Sequence, residues 1–369
     1  MPSRLPSPAR SHAHTAAARL LDWYDRHARA LPWRVGPADR RAGIRPDPYH
    51  VWLSEVMLQQ TQVATVGEYY RRFLARWPTV ADLAAAPADE VLKAWAGLGY
   101  YSRARNLKKC AEAVALAHGG RFPQTAAGLR QLPGIGDYTA AAVAAIAFDE
   151  AVAVIDGNVE RVVARLNAID TPPARARLAI RAGATAMLPP ARFGDFAQAL
   201  MDLGATVCTP RRPSCRQCPL NAECAARAGG TPEAYPVRQE RDARPLRRGA
   251  AFVAIDAGGA VLLRRRPTHG LLGGMAAVPT SDWTARADGA TGIEAAPFAA
   301  PWLPAGGVRH VFTHFALELE VWRARLDRRP AAEGWWSAPD ALAGEALPSV
   351  MRKVIEAAIP GATKRATPA

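Results

Sequence analysis

The chain lacks long apolar segments, and this lack excludes some classes of protein. None of its 369 residues belongs to an apolar run near the roughly 20 residues that a membrane-spanning helix needs. We expect no signal peptide, because residues 1–14 are rich in proline, serine and arginine and contain no apolar core. Hydrophobic residues make up 49% of the chain, which is globular usage, and the length suffices for two domains. The sequence therefore predicts a globular two-domain protein with no membrane partner.

Cysteine is scarce and unevenly placed. The chain has five cysteines, an odd number, and without a secretion signal we expect a reducing compartment in which disulfides are rare. One of them, Cys110, has apolar neighbours and is predicted to be a buried free thiol. Four thiolates can close a tetrahedral zinc site or hold a 4Fe-4S cluster. A single short C-x2-C pair flanked by wider loops favours the cluster, and the four predicted ligands are Cys208, Cys215, Cys218 and Cys224.

Acidic residues are the minority charge. The chain has 47 Lys and Arg against 33 Asp and Glu, a formal net charge of +14 and a pI of about 10.2. A protein this basic usually meets a polyanion, and nucleic acid is the first candidate. The alternative is an ordinary solvated basic surface.

The spacing of apolar residues divides the chain. Residues 15–228 follow the helical period, with helices expected over 52–77, 81–98 and 103–117. Residues 229–247 have the proline, glycine and arginine content of a basic linker. The stretch "AAFVAIDAGGAVLLRRR" predicts strand, turn and strand with the turn at 256–259, and "HFALELEVW" alternates like a half-buried strand. We therefore expect an all-α region followed by a smaller α+β domain over 248–360, with disordered tails at 1–14 and 361–369.

A short glycine-containing turn separates two of the expected helices. In "LRQLPGIGDYTAAAVAAIAF", the glycines let the backbone turn sharply, and Asp137 is expected to N-cap the helix that follows. Amide groups at such a turn and helix start can bind a phosphate, although the turn also suits an ordinary helix corner. The predicted phosphate-binding residues are Pro133, Gly134, Ile135 and Gly136.

Several motifs occur together in one order. They are "LPWR", "WLSEVMLQQTQV", "GLGYYSRARNL", "LPGIG", "VIDGNVERV" and "FAQALMDLGATVC", the last of which ends at the first cysteine of the cluster. This region resembles the helix-hairpin-helix DNA glycosylases with an iron–sulfur loop, and more closely the adenine DNA glycosylases, which remove adenine mispaired with 8-oxoguanine. The resemblance implies that the four cysteines hold a 4Fe-4S cluster. It also implies that the intervening loops present arginines to double-stranded DNA containing an A·8-oxoguanine or A·G mispair.

Excising a base requires one acid and one carboxylate, as in glycoside hydrolysis. Glu55 is flanked by apolar residues, and burial would keep its carboxyl protonated near neutral pH, so we expect it to be the general acid. The resemblance implies that Asp156 stabilises the cationic sugar through a covalent intermediate, with Asn158 beside it; the alternative for Asp156 is a helix N-cap. Tyr138 stands where strand-cutting relatives have a lysine, which predicts a monofunctional enzyme because tyrosine cannot form a Schiff base.

The remaining expected contacts are implied by the resemblance. Trp33 and Arg34 would line the adenine pocket, and Gln60 would insert into the base stack. Thr61, Leu98 and Tyr100 would contact DNA, with Thr61 and Tyr100 at the 8-oxoguanine side; one of Tyr100 and Tyr101 is expected to be core instead. The segment "RRRPTHGLLGGMAAVP" resembles the Nudix-like domain of these enzymes, but no glutamate-rich box follows it, which predicts recognition rather than hydrolysis. The predicted 8-oxoguanine-reading loop is Phe312, Thr313 and His314, where the family has Phe-Ser-His.

Three rival functions remain open at the sequence level. They are a bifunctional endonuclease-III-like glycosylase/lyase for oxidised pyrimidines, an iron–sulfur DNA-binding protein without activity, and a Nudix hydrolase with a DNA-binding appendage. Residues 36–46, which hold Arg40, Arg41 and Arg45, are longer than the family leads us to expect and are either a DNA-contacting loop or an incidental insertion. We expect a monomer in the bacterial cytoplasm, associated with the nucleoid, with a replication clamp or mismatch-repair protein as a partner.

Overall fold

Two compact units make up the structure, a computed structural model that describes residues 8–237, 243–268 and 270–364. The first unit comprises Met1–Ala85 and Lys109–Glu240, and the second comprises Ala86–Lys108 and Arg241–Ala369. The chain therefore enters the second unit, returns to the first and leaves it again. The segment Ala86–Lys108 falls inside the predicted helical domain yet groups with the C-terminal residues. The predicted domain boundaries stay predictions.

Helices build the first unit. No helix in the part of the chain that the structure describes is long and apolar enough to cross a membrane. One helix, α7 (Ser102–Ala117), begins in the second unit and ends in the first. Those with residues in the first unit are α1 (Pro8–His27), α2 (Pro37–Arg41), α3 (Pro48–Leu58), α4 (Val63–Arg76), α5 (Val80–Ala85), α7 (Ser102–Ala117), α8 (Ala126–Leu129), α9 (Asp137–Phe148), α10 (Gly157–Leu166), α11 (Pro173–Ala186), α12 (Phe193–Thr206) and α13 (Ala225–Ala228).

Sequence periodicity placed these helices well but merged some of them. The stretch 52–77 is two helices, α3 and α4, because the chain turns at Gln60, whose φ is 58°. The stretch 81–98 is also two, because Pro87 precedes α6 (Ala88–Trp95) and cannot continue the helix before it. Helix α7 confirms the prediction for 103–117. Helix α1 begins at Pro8, so residues 8–14 of the expected tail are helical, and the remainder of that tail lies outside the described residues.

The centre of the first unit is formed by helices that are buried on nearly every side. In α9, residues 139–146 are all buried, and in α12 residues 194–204 are. A helix that is apolar all round must lie inside its domain. Helix α3 is similar, with Val51 to Met57 buried, and it packs against α9 and α4. Polar side chains on these helices are therefore costly unless they find partners, and this applies to Glu55, Asp195, Gln198 and Asp202.

The unusual segment 36–46 forms helix α2 and carries a buried ion pair. Arg40 donates from Nη1 to the Ile146 carbonyl at 2.7 Å, and its Nε lies 3.1 Å from Asp195 Oδ1. The Arg40 side chain is 9% exposed. Arg41 pairs with Asp25 at 2.7 Å. Two of the three arginines in the predicted DNA-contacting loop, Arg40 and Arg41, thus form ion pairs within the protein. The third, Arg45, is exposed to solvent.

The second unit contains a mixed sheet and three helices. Its strands are β1 (Leu246–Asp256), β2 (Val261–Arg265), β3 (Ala276–Ala277), β4 (Leu303–Val311), β5 (Ala316–Leu326) and β6 (Trp335–Ser337). They are ordered β3-β2-β1-β5-β4, with β6 also paired to β2. Strand β1 runs parallel to β5 from the Leu246–Ala316 pair to the Asp256–Leu326 pair. The predicted turn at 256–259 joins β1 and β2, and Gly259 has a φ of 83°. The three helices that lie wholly in this unit are α6, α14 (Pro339–Leu342) and α15 (Ser349–Ala358).

Both faces of this sheet are covered. Alternate residues of β1, Ala251, Val253 and Ile255, join a core that includes α15, while Ala250, Phe252 and Ala254 pack on the opposite side with Trp302. The alternation in β5 confirms the predicted strand, since Phe315, Leu317, Leu319 and Val321 are buried. Residues 278–302, all of them described, hold one short 3-10 helix, Ile293–Ala295, and no α-helix.

Candidate active site

Glu55 is a buried carboxyl on α3. It is 6% exposed, and its Oε2 accepts a hydrogen bond from the Tyr138 hydroxyl at 2.5 Å. Burial raises the pKa of Glu55, Asp156 adds to the rise, and the Tyr138 hydrogen bond and the Arg34 charge oppose it. Burial and Glu55 also raise the pKa of Tyr138 well above its ordinary value. The structure therefore brings together Glu55, Tyr138, Asp156 and Arg34, which the sequence predicted separately.

The segment after α1 places Trp33 and Arg34 inside the first unit. The Trp33 ring is 7% exposed and meets Tyr70 edge-on at 5.6 Å between centroids. The Arg34 side chain is 8% exposed and donates from Nη1 to Asp202 Oδ2 at 2.7 Å. Both side chains are thus anchored by protein partners.

Asp156 is the N-cap of α10, so the structural alternative for this residue is correct. Its Oδ1 accepts from the amides of Asn158 and Val159 at 2.9 and 2.7 Å. The Asn158 side-chain amide donates to Asp156 Oδ2 at 2.9 Å. Capping does not exclude a catalytic role, because Asp156 is only half-buried and its charge acts on Glu55. The cap fixes the carboxylate in one orientation.

Two arginines of α10 join this cap to the cysteine segment. Arg161 donates from Nη2 to Asn158 Oδ1 at 2.8 Å and from Nε to the Cys208 carbonyl at 2.8 Å. Arg165, 2% exposed, donates from Nη1 to Cys208 Sγ at 3.3 Å and to the Thr209 carbonyl at 2.7 Å. Neither arginine was predicted, although their i, i+4 spacing on a helix capped by Asp156 was a readable signal.

The four predicted metal ligands line one cavity of the first unit. Its walls also include Arg165, Val207 and Pro213. Cys224 Sγ donates to the Arg165 carbonyl at 3.5 Å, so the cavity rests against α10. Within the described residues, no three His, Cys, Asp or Glu side chains are grouped closely enough to hold a single metal ion. The fifth cysteine, Cys110, is buried, as predicted.

The glycine turn joins α8 to α9. Gly134 has a φ of 75°, a left-handed conformation that favours glycine, and Pro133, Gly134 and Gly136 are exposed. Ile135 is buried and its amide donates to the Leu132 carbonyl at 3.2 Å, so it anchors the turn. The N-cap of α9 is Gly136, which makes the prediction for Asp137 wrong. The Asp137 carboxylate instead forms an ion pair with Arg130, with 2.9 Å between Oδ1 and Nε.

Two other predicted contact residues lie at the turn between α3 and α4. Gln60 is exposed and has a left-handed backbone, which is uncommon for a residue other than glycine. Thr61 is half-buried and its Oγ1 donates to the Gln59 carbonyl at 3.3 Å. An exposed side chain on a strained turn suits a group that inserts into a partner.

In the second unit, Tyr100 meets the predicted 8-oxoguanine-reading loop. The hydroxyls of Tyr100 and Thr313 lie 3.0 Å apart. Tyr100 is 50% exposed with a left-handed φ of 46°, whereas Tyr101 is buried and Leu98 is 4% exposed. Tyr101 is therefore the core residue of the pair, and the Leu98 side chain does not reach the surface. Tyr100 and the loop share a cavity of about 420 Å³ lined also by Leu271, Leu272, His310, Phe312, Thr313 and His314.

Comparison with known proteins agrees with this geometry. Residues 53–182 match the model of the HhH-GPD superfamily base excision DNA repair protein, and residues 250–357 match that of the NUDIX domain. The adenine DNA glycosylase of Homo sapiens is 39% identical, and the alignment covers 84% of this chain and 66% of that protein. The adenine DNA glycosylase of Mus musculus is 38% identical over 91% of this chain and 76% of that protein.

A solved structure shows the same fold in the helical part. A thermostable thymine-DNA glycosylase superposes with a TM-score of 0.53 at 28% identity, over 60% of this chain and all of that one. A helix-hairpin-helix glycosylase region and a NUDIX domain thus follow one another in this chain. The chain belongs to the adenine DNA glycosylase family of helix-hairpin-helix base excision DNA repair proteins, which hydrolyse N-glycosidic bonds.

Proposed function

We propose that this chain is a monofunctional glycosylase that releases adenine mispaired with 8-oxoguanine or guanine in double-stranded DNA. The observation that carries the proposal is the buried Glu55 carboxyl, which is hydrogen-bonded by Tyr138 and acted on by the charge of Asp156. It supplies an acid whose pKa is raised by burial, beside a carboxylate of fixed orientation. The similar proteins are adenine DNA glycosylases, so we assign adenine as the base that is released.

The reaction follows from these roles. The adenine nucleotide is flipped out of the duplex, at a cost of a few kcal/mol. Because Tyr138 donates to Glu55 Oε2, Oε1 is the oxygen that carries the proton to the adenine ring. The bond between C1′ and N9 then breaks, its electron pair leaves with the base, and Asp156 stabilises the positive sugar. Water adds to C1′ and passes a proton to the Glu55 carboxylate, which restores the acid and leaves free adenine and an abasic site. Tyr138 has no amine for a Schiff base, so the strand stays intact.

The second unit is proposed to read 8-oxoguanine. Thr313 and Tyr100 present two adjacent hydroxyls at a cavity that also contains aromatic rings, among them Phe312 stacked on Phe315 at 4.7 Å. Hydroxyls can both donate and accept, which suits the carbonyl and N–H groups of an oxidised purine. A single glutamate, Glu294, lies in residues 278–302, so this segment holds no glutamate-rich box of the kind that binds magnesium in a working Nudix hydrolase.

The cysteine cavity is proposed to hold a 4Fe-4S cluster. Four soft sulfur donors line one cavity, and their spacing, a single short C-x2-C pair flanked by wider loops, favours a larger group than a single ion. The exposed arginines Arg211, Arg212 and Arg216 lie between the ligands and would contact backbone phosphates. We further propose a monomer of the bacterial cytoplasm, associated with the nucleoid, that meets a replication clamp or a mismatch-repair protein.

The function is tested by single-turnover base release from four duplexes that differ at one pair: A·8-oxoguanine, A·G, A·T and thymine glycol·A. Half of each sample is treated with alkali. Adenine release opposite 8-oxoguanine, with strand breaks only after alkali, is the expected result. Breaks without alkali would establish the bifunctional alternative, and no release from any duplex would establish a binding protein.

Recognition of the oxidised base is tested with Thr313→Val. Loss of one hydroxyl should reduce the preference for A·8-oxoguanine over A·G by about 1–3 kcal/mol while A·G excision is unchanged. Thr291→Val, at a different cavity of the same unit, is the matched control. An unchanged preference in Thr313→Val would remove this loop from recognition.

The cluster is tested with Cys218→Ser. The variant should lose iron, visible colour and DNA affinity, and Cys110→Ser, at a buried cysteine outside the cavity, should retain all three. Stoichiometric zinc in the purified protein, or unchanged DNA binding by Cys218→Ser, would contradict the proposal.

A further inference from the structure

Arg103 is a buried cation that the proposed function does not use. It lies in the first turn of α7, within the part of that helix that belongs to the second unit, and is 8% exposed. A buried charge is costly unless it is paired or hydrogen-bonded, so its partners indicate what it does. The motif "GLGYYSRARNL" contains it, but the sequence assigned a contact to Leu98 and Tyr100 of this motif and none to Arg103.

The backbone just before α7 has an uncommon conformation. Gly97, Gly99 and Tyr100 all have positive φ angles, of 110°, 69° and 46°. Glycine adopts such angles freely, but a tyrosine there is strained and keeps the conformation only where its surroundings hold it. Tyr100 is also 50% exposed, so burial of its own side chain does not account for the conformation.

Arg103 supplies several of the contacts that hold this segment. Its Nη2 donates to the carbonyls of Leu98 and Gly99 at 2.8 and 3.1 Å. Its guanidinium carbon lies 5.1 Å from the centre of the Trp95 ring and 5.7 Å from that of the Tyr100 ring. Trp95 Nε1 also donates to the Gly99 carbonyl at 3.0 Å. Arg103 is therefore joined to Tyr100 both through the backbone before it and through its ring.

Tyr100 in turn reaches the cavity that is proposed to read 8-oxoguanine. Its hydroxyl lies 3.0 Å from that of Thr313, and both residues line the cavity of about 420 Å³. Arg103 is not among the residues that line it. The Tyr100 hydroxyl stands at the end of a rigid ring, so a change in the backbone at this residue moves the hydroxyl away from Thr313.

We propose that Arg103 is a positioning residue that holds Tyr100 toward Thr313 and thereby sets the preference for adenine opposite 8-oxoguanine. The inference rests on the proposed function in that Tyr100 and Thr313 read the oxidised base. Arg103 touches neither that base nor the reacting atoms; it acts through Tyr100. Without the guanidinium, the segment 97–100 can relax, and the two hydroxyls no longer meet the base as a preformed pair.

The direct test is an NMR measurement on the full-length protein without DNA. It detects the nuclear Overhauser effect (NOE) between the Tyr100 ring and the Thr313 methyl group, in protein labelled at tyrosine rings and threonine methyls. Tyr100→Leu and Thr313→Val identify the two signals by their absence. Arg103→Met removes the charge and the donors but keeps an unbranched side chain, and it should lose this NOE.

Arg352→Met is the matched control and should keep the NOE. Arg352 likewise donates to backbone carbonyls of the second unit, none of which belongs to a residue lining the cavity: Ala343, Glu345, Leu347 and Thr363. An NOE that persists in Arg103→Met, or that is lost in both variants, would overturn the inference.

The second readout is the ratio of the single-turnover rates on A·8-oxoguanine and A·G duplexes. Arg103→Met should reduce this ratio about two- to tenfold, the range expected for one lost hydrogen bond. A purely structural role would slow both reactions equally and leave the ratio unchanged. Adding Arg103→Met to Tyr100→Leu should cause no further fall in the ratio. A further fall would mean that Arg103 acts without Tyr100.

Arg103→Lys covers the case in which Arg103→Met fails to fold. Lysine keeps the charge, but its ammonium lacks the planar face that a guanidinium presents to aromatic rings, so the NOE should weaken and the ratio should fall at least about twofold. Wild-type values of both would overturn the inference. Because the NOE needs neither DNA nor activity, it separates this inference from the proposed function, which the base-release experiment tests in the unaltered protein.

Discussion

At the residue scale, Glu55 combines two properties that oppose each other in a folded protein. It is buried in the first unit, and the proposed function requires it to hold a proton that it can give away. Burial favours the protonated carboxyl because the ionised form is poorly solvated. The same burial lowers the free energy of unfolding at pH values where the carboxyl would otherwise ionise. Replacing the Glu55 carboxyl by an amide should therefore lower the rate of adenine release and raise the stability of the folded protein.

Glu55→Gln should lower adenine release by about 10²- to 10⁴-fold, the usual range for a general acid, while DNA affinity is kept. The exposed Glu68 of α4 provides the control, since Glu68→Gln removes the same group from the surface. Single-turnover release and equilibrium binding on the same duplex make the comparison. Full activity in Glu55→Gln would remove this residue from the chemistry.

The same variant should be more stable than the wild type at alkaline pH. The pKa of Glu55 is raised in the folded protein, so the native state binds the proton more tightly and stability falls as pH rises from the unfolded pKa to the folded one. Glutamine lacks that loss and should add about 0.5–2 kcal/mol to the free energy of unfolding at pH 8, with little difference at pH 4. Denaturant unfolding at both pH values measures it; a larger gain at pH 4 would reverse the sign assigned to Glu55.

Tyr138→Phe tests the hydrogen bond that opposes the raised pKa. The hydroxyl donates to Glu55 Oε2 and stabilises the ionised form, so its loss should raise the pKa of Glu55 further. The alkaline limb of the kcat–pH profile should then move to higher pH. Tyr70→Phe, at another buried tyrosine of the first unit, is the control. A shift to lower pH in Tyr138→Phe would show that the tyrosine stabilises the protonated acid instead.

The sequence identified most of these residues but not their contacts. Apolar flanks marked Glu55 as buried, and motif order marked Tyr138 and Asp156. The contact of Tyr138 with Glu55 joins residues 83 positions apart, and no local pattern encodes it. Asp202, Arg161 and Arg165 were missed for the same reason, since their roles depend on partners in other elements.

At the element scale, α10 connects the capped aspartate with the cysteine cavity. It approaches α12 closely because residue 204 is glycine: a Cβ there would lie 2.6 Å from Asn158 Cβ and 3.0 Å from the Asn158 carbonyl oxygen. Such distances force a neighbour to move, and the neighbour is the residue that hydrogen-bonds Asp156. The position of the carboxylate therefore depends on a helix contact.

Gly204→Ala should displace Asn158 and Asp156, reduce adenine release at least tenfold and cost about 1–3 kcal/mol of stability. Gly67→Ala, in the middle of α4 where an added Cβ meets nothing within 4 Å, is the matched control and should be neutral or stabilising by up to about 1 kcal/mol. Thermal unfolding and single-turnover release would be measured for both. Equal behaviour of the two variants would contradict the role assigned to this contact.

Helix prediction succeeded where period and length agreed and failed at local breaks. The 52–77 pattern ran through a four-residue turn because its apolar residues kept the same spacing on both sides. Asp137 was expected to cap α9 because aspartate commonly does, but Arg130 holds its carboxylate and Gly136 takes the cap position. In both cases a tertiary contact or a backbone turn outweighed a local preference.

At the scale of the whole molecule, the net charge of +14 makes DNA affinity sensitive to salt. A protein that makes about 6–10 phosphate contacts loses about 10³- to 10⁵-fold in affinity between 50 and 200 mM salt. Replacing Arg211, Arg212 and Arg216 by glutamine should reduce the slope of log Kd against log salt by up to about 3. Replacing Arg323, Arg325 and Arg328, also exposed, removes the same charge and should leave the slope nearly unchanged. Equal slopes for the two triple variants would mean that overall charge, not the cysteine loop, sets the affinity.

The order of the two folds along the chain could be read from composition and period, but the division into units could not. Proline and glycine marked the linker, and the change from helical to alternating period marked the sheet. Nothing in residues 86–108 distinguishes them from the helices around them, because grouping with the second unit depends on residues far along the chain.

That grouping has a consequence for how the protein is made. Residues 86–108 leave the ribosome more than 130 residues before the first residue of the segment that completes their unit. At about 5–20 residues per second, the delay is roughly 7–27 s. Throughout it, Val91, Leu92 and Trp95, all buried in the finished protein, belong to a unit whose sheet has not been synthesised. The nascent chain therefore carries an apolar segment whose burial must wait until the sheet of its unit has been made.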